Sequence, residues 1–138
     1  MPEKIRLTIF TDGGARGNPG PAGIGAVIKD EQGRLLAFVS RYIGRATNNQ
    51  AEYQAVLAAM EEAQRFSPAA IDFFLDSELV ARQLSGAYKV KNRELAPLFV
   101  KVHNAGLSCP KIVYHHVPRE QNREADKLVN QAIDQALK

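Results

Sequence analysis

Ile5-Arg6-Leu7-Thr8-Ile9-Phe10-Thr11-Asp12-Gly13-Gly14 decides the architecture. Residues 5–10 alternate apolar and polar, the period-two pattern of a strand with one buried face. The run stops at Thr11-Asp12-Gly13-Gly14, so an acid stands at the strand's carboxyl end. Further along, Ile71-Asp72-Phe73-Phe74-Leu75-Asp76 reads as a short apolar strand that again ends on an acid. In open α/β sheets, sites form at the carboxyl ends of parallel strands. If these two strands are parallel neighbours, Asp12 and Asp76 share one rim. Taken singly, Asp12 also reads as an Asp-Gly turn and Asp76 as the cap of a following helix.

The remaining elements favour that pairing. A Gly/Pro-rich loop is expected over residues 13–23, then strands over 24–29 and 35–43 separated by the turn Asp30-Glu31-Gln32-Gly33. Tyr53, Val56, Leu57 and Met60 fall at i, i+3, i+4, i+7 of a helix. Thr47 and Gln50 fit a capping box at its start, and Ser67-Pro68 ends it. After the Asp76 strand comes a short helix with Leu79, Val80 and Leu84 inward and Gly86 at its end. Leu95, Leu98, Phe99 and Val102 mark another helix, whose start Pro97 blurs. Residues 110–117 form the fifth strand. A last helix from about Asn122 turns Ala125, Val129, Ala132, Ile133 and Ala136 inward. The order is βββαβααβα. Short loops make the first three strands antiparallel, and helical crossovers make strands four and five parallel to strand one. The expected fold is α/β: one mixed five-stranded sheet with helices packed on it.

Two further acids fall where acids are costly. At about 100° per residue, Glu52 shares the angle of Val56, Ala59 and Ala63 on the apolar face of its helix. Asp126 lies in angle near Val129, Ile133 and Leu137. A carboxylate on a core-facing stripe needs a partner or a metal, and no Lys or Arg occupies a matching position. Four carboxylates on one rim repel and hold protons near neutral pH. Divalent cations remove that conflict, and an all-oxygen set suits Mg²⁺ or Mn²⁺ rather than zinc. Two such ions about 4 Å apart can clamp both oxygens of a phosphodiester displacement.

Composition sets the bounds. The chain has 138 residues, 45% hydrophobic and 24% charged, which is globular usage and excludes disorder or a coiled coil throughout. One domain over residues 1–138 is expected. The lone Cys109 excludes an internal disulfide framework and a Cys-rich zinc module. No apolar run approaches the roughly 20 residues that span a bilayer. Met1-Pro2-Glu3-Lys4 is polar and does not read as a signal peptide. A reducing, cytoplasmic setting is therefore expected, with no membrane and no obligate protein partner. Eighteen Lys+Arg against fifteen Asp+Glu give +3, compatible with a polyanion but also with many small enzymes.

Four motifs carry a family resemblance. Residues 11–20, Thr-Asp-Gly-Gly-Ala-Arg-Gly-Asn-Pro-Gly, resemble the opening motif of type 1 ribonuclease H. Thr47-Asn48-Asn49-Gln50-Ala51-Glu52, Asp76-Ser77-Glu78-Leu79-Val80 and Asn122-Arg123-Glu124-Ala125-Asp126 resemble the next three, in the same order. The resemblance implies a ribonuclease H-like fold. It also implies endonucleolytic hydrolysis of the RNA strand of RNA–DNA hybrids by a two-metal-ion mechanism, giving 5′-phosphate and 3′-hydroxyl ends. It assigns two Mg²⁺ ions to Asp12, Glu52, Asp76 and Asp126, and substrate contacts to Asn18, Thr47, Asn48 and Asn49. Thr47 also reads as a helix cap, and Asn18 as a turn residue before Pro19.

The chain departs from the family in places. A long basic insertion common in the family is replaced by Gly86-Ala87-Tyr88-Lys89-Val90-Lys91-Asn92-Arg93. Lys89 and Lys91, with Arg93, read as a reduced substrate handle or as a solvated loop. Glu78 stands where the family often has Gln, so no substrate contact is assigned to it. Many members carry a helper His before the fourth acid. A gapless count places His116 there, whereas aligning on the strand's end, with Pro118 as breaker, places Arg119. Arg119 is assigned, with His116 as the alternative and a surface pair with Glu120 or Glu124 as the plain reading. His115 and His116 point to opposite faces of a strand and cannot chelate one ion together. Residues 13–23 lack the endings of a P-loop or dinucleotide fingerprint. A non-catalytic nucleic-acid-binding module of the same fold, or another nuclease of the superfamily, are the competing functions.

Overall fold

The computed structural model describes residues 5–138; the polar residues 1–4 lie outside the described residues. One five-stranded sheet runs in the order β3-β2-β1-β4-β5. Its strands are β1 (Arg6–Ala15), β2 (Gly20–Lys29), β3 (Leu35–Ala46), β4 (Ala70–Leu75) and β5 (Lys111–His116). β1–β2 and β2–β3 are antiparallel, whereas β1–β4 and β4–β5 are parallel, so the expected mixed sheet is present. Helices α1 (Asn48–Ala63), α2 (Glu78–Leu84) and α3 (Ala96–Ala105) lie on one face, and α4 (Arg123–Ala136) covers β1, β2 and β3 on the other.

The main core lies between the sheet and α1. Leu7, Ile9, Phe73, Leu75, Tyr53, Val56 and Met60 are fully buried there. Val102 of α3 closes it from outside. The capping box at α1 forms as read: Gln50 N donates to Thr47 Oγ1 at 3.1 Å, and Thr47 N to Gln50 Oε1 at 2.8 Å. Two 3-10 turns, Gln64–Phe66 and Arg119–Gln121, follow α1 and precede α4. Among the described residues no helix is long and apolar enough to cross a membrane.

The structure corrects four expectations. The loop expected over residues 13–23 is mostly strand, with Gly13 paired to Ile24 and Gly14 to Gly23. Gly13 marks the close approach of a helix rather than a turn: a Cβ there would run into the Ala51–Glu52 backbone, and one on Gly25, further along β2, would collide with Ala125 O. Leu79 is exposed, because the short α2 turns only Val80, Ala81 and Gln83 fully inward. Ala136 is exposed in the last turn of α4, after the inward residues Ala132 and Ile133. Asp126, placed by its angle on the core stripe, is exposed as well. In that turn Ala125 and Leu128 are the residues that meet β2 at Gly25, so Asp126 turns toward the rim.

Candidate active site

The fold brings three of the four singled-out acids together. Asp12 lies inside β1 opposite Gly25, not in a turn. Asp76 directly follows β4 and does not cap α2. Ser77 does that, its Oγ accepting from Val80 N at 3.3 Å. Glu52 comes in from the second turn of α1, where Gly13 lets the helix backbone rest on β1. One carboxylate oxygen from each of Asp12, Glu52 and Asp76 lies within 4.8 Å of the other two. Asp126 stands outside this group on the first turn of α4, but near enough to Asp12 to push its carboxyl up.

Burial and like charge make the cluster hold protons. Asp12 is only 7% exposed and Glu52 only 6%. Burial, then the Asp76 charge, pushes the Asp12 carboxyl up to about 7, with Asp126 adding to the rise. Burial drives Glu52 well above the carboxylate range, and Asp12 and Asp76 push the same way; the Gly13 N–H opposes them. Glu52 Oε2 is buried without a hydrogen-bond partner. Orphaned buried oxygen, raised carboxyls and an all-oxygen donor set fit a hard divalent cation, which would replace the retained protons.

Asn122 opens the fourth motif, and the sequence assigns it no role of its own. It is 1% exposed and gives α4 no side-chain cap. Its Nδ2 donates to Thr11 O at 2.8 Å and to Asp76 Oδ2 at 3.1 Å.

The asparagines assigned to substrate sit beside the acids. Asn18, Thr47, Asn48 and Asn49 line one groove of about 350 Å³ with Asn92, Glu94 and Leu95. Asn18 Oδ1 accepts from Asn48 N at 3.0 Å, and Asn48 Oδ1 accepts from Ala15 N at 2.9 Å. Those two bonds fix the end of β1 to the start of α1. Thr47 therefore caps α1 while lining the groove, and Asn18 ties the segment after β1 to α1 rather than closing a local side-chain turn. Asn92 lies in a stretch whose sequence reads as a handle or a solvated loop, with nothing to mark it for the groove; its Oδ1 accepts from Glu94 N at 2.7 Å. Lys89 and Lys91 are exposed on the same connection and do not line that groove.

Arg119 lies exposed in the 3-10 turn before α4 and forms no ion pair among the described residues. Glu124 is taken by Lys29 at 2.8 Å. His116 is the last residue of β5 and borders a groove with Glu78 and Arg82 of α2. Glu78 itself turns to Arg82, 3.2 Å away. His115 faces the other side, with Nε2 2.9 Å from Asp72 Oδ1. Cys109 is a buried free thiol.

A sheet in this order, with acids gathered where β1 and β4 run side by side, defines the ribonuclease H-like class of α/β proteins. The family model described as "Reverse transcriptase-like" matches residues 10–132. Ribonuclease HI of Halobacterium salinarum is 41% identical over 131 residues, 95% of this chain and 66% of its own length. Ribonuclease H of Bradyrhizobium diazoefficiens is 31% identical over 155 residues, 99% of this chain and 95% of its own. The solved LC11-RNase H1, in complex with an RNA/DNA hybrid, is 49% identical with a TM-score of 0.92, covering 96% of this chain and 99% of that one. The chain belongs to the ribonuclease H family. It spans only 36% of the length of other curated relatives, such as the bifunctional protein Rv2228c of Mycobacterium tuberculosis.

Proposed function

We propose that this chain is an endoribonuclease that hydrolyses the RNA strand of RNA–DNA hybrids, with Mg²⁺ as cofactor, leaving 5′-phosphate and 3′-hydroxyl ends. The observation that carries this reading is the buried cluster of Asp12, Glu52 and Asp76 beside an asparagine-lined groove. Asp12, Glu52 and Asp76, joined by Asp126 at the rim, would hold two ions. When bound, such ions supply Lewis acidity at the scissile phosphate and a nucleophilic water at neutral pH.

The chain's own residues bind and orient. Asn18, Thr47, Asn48 and Asn49 offer short polar groups to the wide groove of a hybrid, where only the RNA strand displays 2′-hydroxyls. The hybrid bound by LC11-RNase H1 supports that substrate class. Lys89 and Lys91 add phosphate contacts. Arg119, always protonated, would steady a phosphate or loosen product but cannot act as a base. Such an enzyme works in the cytoplasm, a setting that suits Cys109 as a free thiol.

Labelled RNA–DNA hybrid, double-stranded RNA and single-stranded RNA, each with and without Mg²⁺, test the reading. Internal cleavage confined to the hybrid and to Mg²⁺ is expected; binding without cleavage would instead indicate a non-catalytic module. With saturating hybrid and Mg²⁺, Arg119→Ala should lower kcat more than His116→Ala. The reverse order would move the helper role to His116.

A further inference from the structure

Asn is among the best residues for capping a helix N-terminus. Asn122 occupies that position on α4 and does not cap. Its side-chain amide instead points into the site, donating to Thr11 O at 2.8 Å and Asp76 Oδ2 at 3.1 Å. Its backbone O accepts from Asp126 N at 3.1 Å, the first helical bond of α4. One buried residue thus joins the strand that carries Asp12, the carboxylate of Asp76 and the helix turn that carries Asp126.

We infer that Asn122 is a positioning residue for the cation site: it orients the Asp76 carboxylate and fixes α4 against β1, so that the acids meet an incoming cation in one geometry. The inference rests on the metal-dependent reading above. The physical need is specific. Asp76 is half-buried among like charges, and among the described residues its one side-chain hydrogen-bond donor is Asn122. A charge-assisted bond from a buried, immobile amide leaves the carboxylate less free to rotate. Donors to metal-ligating carboxylates tune affinity, and their loss typically costs about 10–100-fold in metal affinity or activity. Asn122 Oδ1 is buried with no partner, so the amide is not held by a network of its own. Its orientation is set by the two acceptors it serves.

The test is Mg²⁺ titration of the full chain, followed by calorimetry and by NMR of carboxyl and side-chain amide groups. In the native protein the Asn122 side-chain amide signals should move with the Asp12, Glu52 and Asp76 carboxyl signals, while those of Asn104, remote on α3, stay put. In Asn122→Ala, Mg²⁺ affinity should fall by roughly tenfold or more, and kcat should fall with KM for hybrid unchanged. In an Asp76→Asn background the same change should cost clearly less Mg²⁺ affinity than in the native chain, as a shared interaction requires; an equal cost in both backgrounds would overturn the role toward Asp76. A folded Asn122→Ala that binds Mg²⁺ like the native chain overturns the inference. So does an Asn122 amide that ignores Mg²⁺ while the carboxyls respond, a measurement that needs no variant to fold. If no carboxyl responds to Mg²⁺ at all, the metal-dependent reading falls first and this inference with it.

Discussion

At the scale of single residues, the ion-free site works against the fold. Asp12, with its carboxyl pushed up to about 7 by burial and by Asp76, keeps its proton when folded at pH values where an unfolded Asp, with its pKa of ~4, has lost it. The folded state therefore binds more protons than the unfolded state between those limits. The resulting slope makes the ion-free protein lose stability as pH rises from ~4 to about 7 and change little from this group above that. Glu52 is shifted in the same direction. Mg²⁺ has to displace those protons, so its affinity should climb as pH rises through neutrality, with proton release measurable by calorimetry in two buffers of different ionisation enthalpy. Asp12→Asn removes one charge from the cluster. It should abolish Mg²⁺-dependent cleavage and stabilise the ion-free protein at pH 8 by on the order of 1–2 kcal/mol, roughly 3–7 °C in Tm. A Tm unchanged or lowered, in a variant still inactive, would show that Asp12 is not strained by its neighbours.

At the scale of elements, glycines in strands hold the site together. Gly13 admits α1 to the surface of β1 and so delivers Glu52; Gly25, opposite Asp12, admits the first turns of α4. Gly13→Ala would place a methyl group 2.6 Å from Glu52 N, against backbone that cannot step aside. Its expected cost is about 1–3 kcal/mol or more, with a loss of Mg²⁺ affinity in what still folds. Gly14→Ala is the internal control, because its Cβ meets nothing closer than Val129 Cγ1 at 3.9 Å. Thermal melts of both variants should separate them clearly, and equal melting would remove the close-approach argument. The same glycines explain what the sequence hid. The order of the elements, the capping box and the parallel placement of β4 and β5 were legible because periodicity and loop length decide them. A glycine cluster reads equally as a turn or as a seat for another backbone, and only the helix above chooses. Asp126 shows a similar limit. Its angle puts it near Val129 and Ile133, yet it is exposed, because Ala125 and Leu128 are what meet β2 in that turn. Asn122 was hidden because a residue suited to capping was put to another use.

At the scale of the whole molecule, the proposed hybrid substrate raises the question of how a site built from acids would attract a polyanion. The site presents acids, and the groove beside it is lined by neutral amides and one acid, Glu94, which lies 3.4 Å from Gln50 Nε2. Attraction to phosphate then has to come from surrounding cations. The connection between α2 and α3 offers Lys89, Lys91 and Arg93, all exposed and without ion pairs among the described residues. Its far end is ordered by Asn92 Oδ1, which accepts from Glu94 N and Leu95 N, and Leu95 is buried in the core. Tyr88 packs under Arg82, with the guanidinium carbon 5.5 Å from the ring centroid. Anchored at both ends, the connection holds its cations beside Asn92, which lines the groove. Replacing Lys89, Lys91 and Arg93 together by Ala should weaken hybrid binding. It should also flatten the dependence of log affinity on log salt by about one unit for each phosphate that is no longer neutralised. Because none of the three touches the acids, kcat at saturating hybrid should stay near the native value while KM rises, more steeply at low salt. An unchanged salt slope would return the connection to a solvated loop and leave the attraction to Arg119, Arg123 and Lys127 around the start of α4.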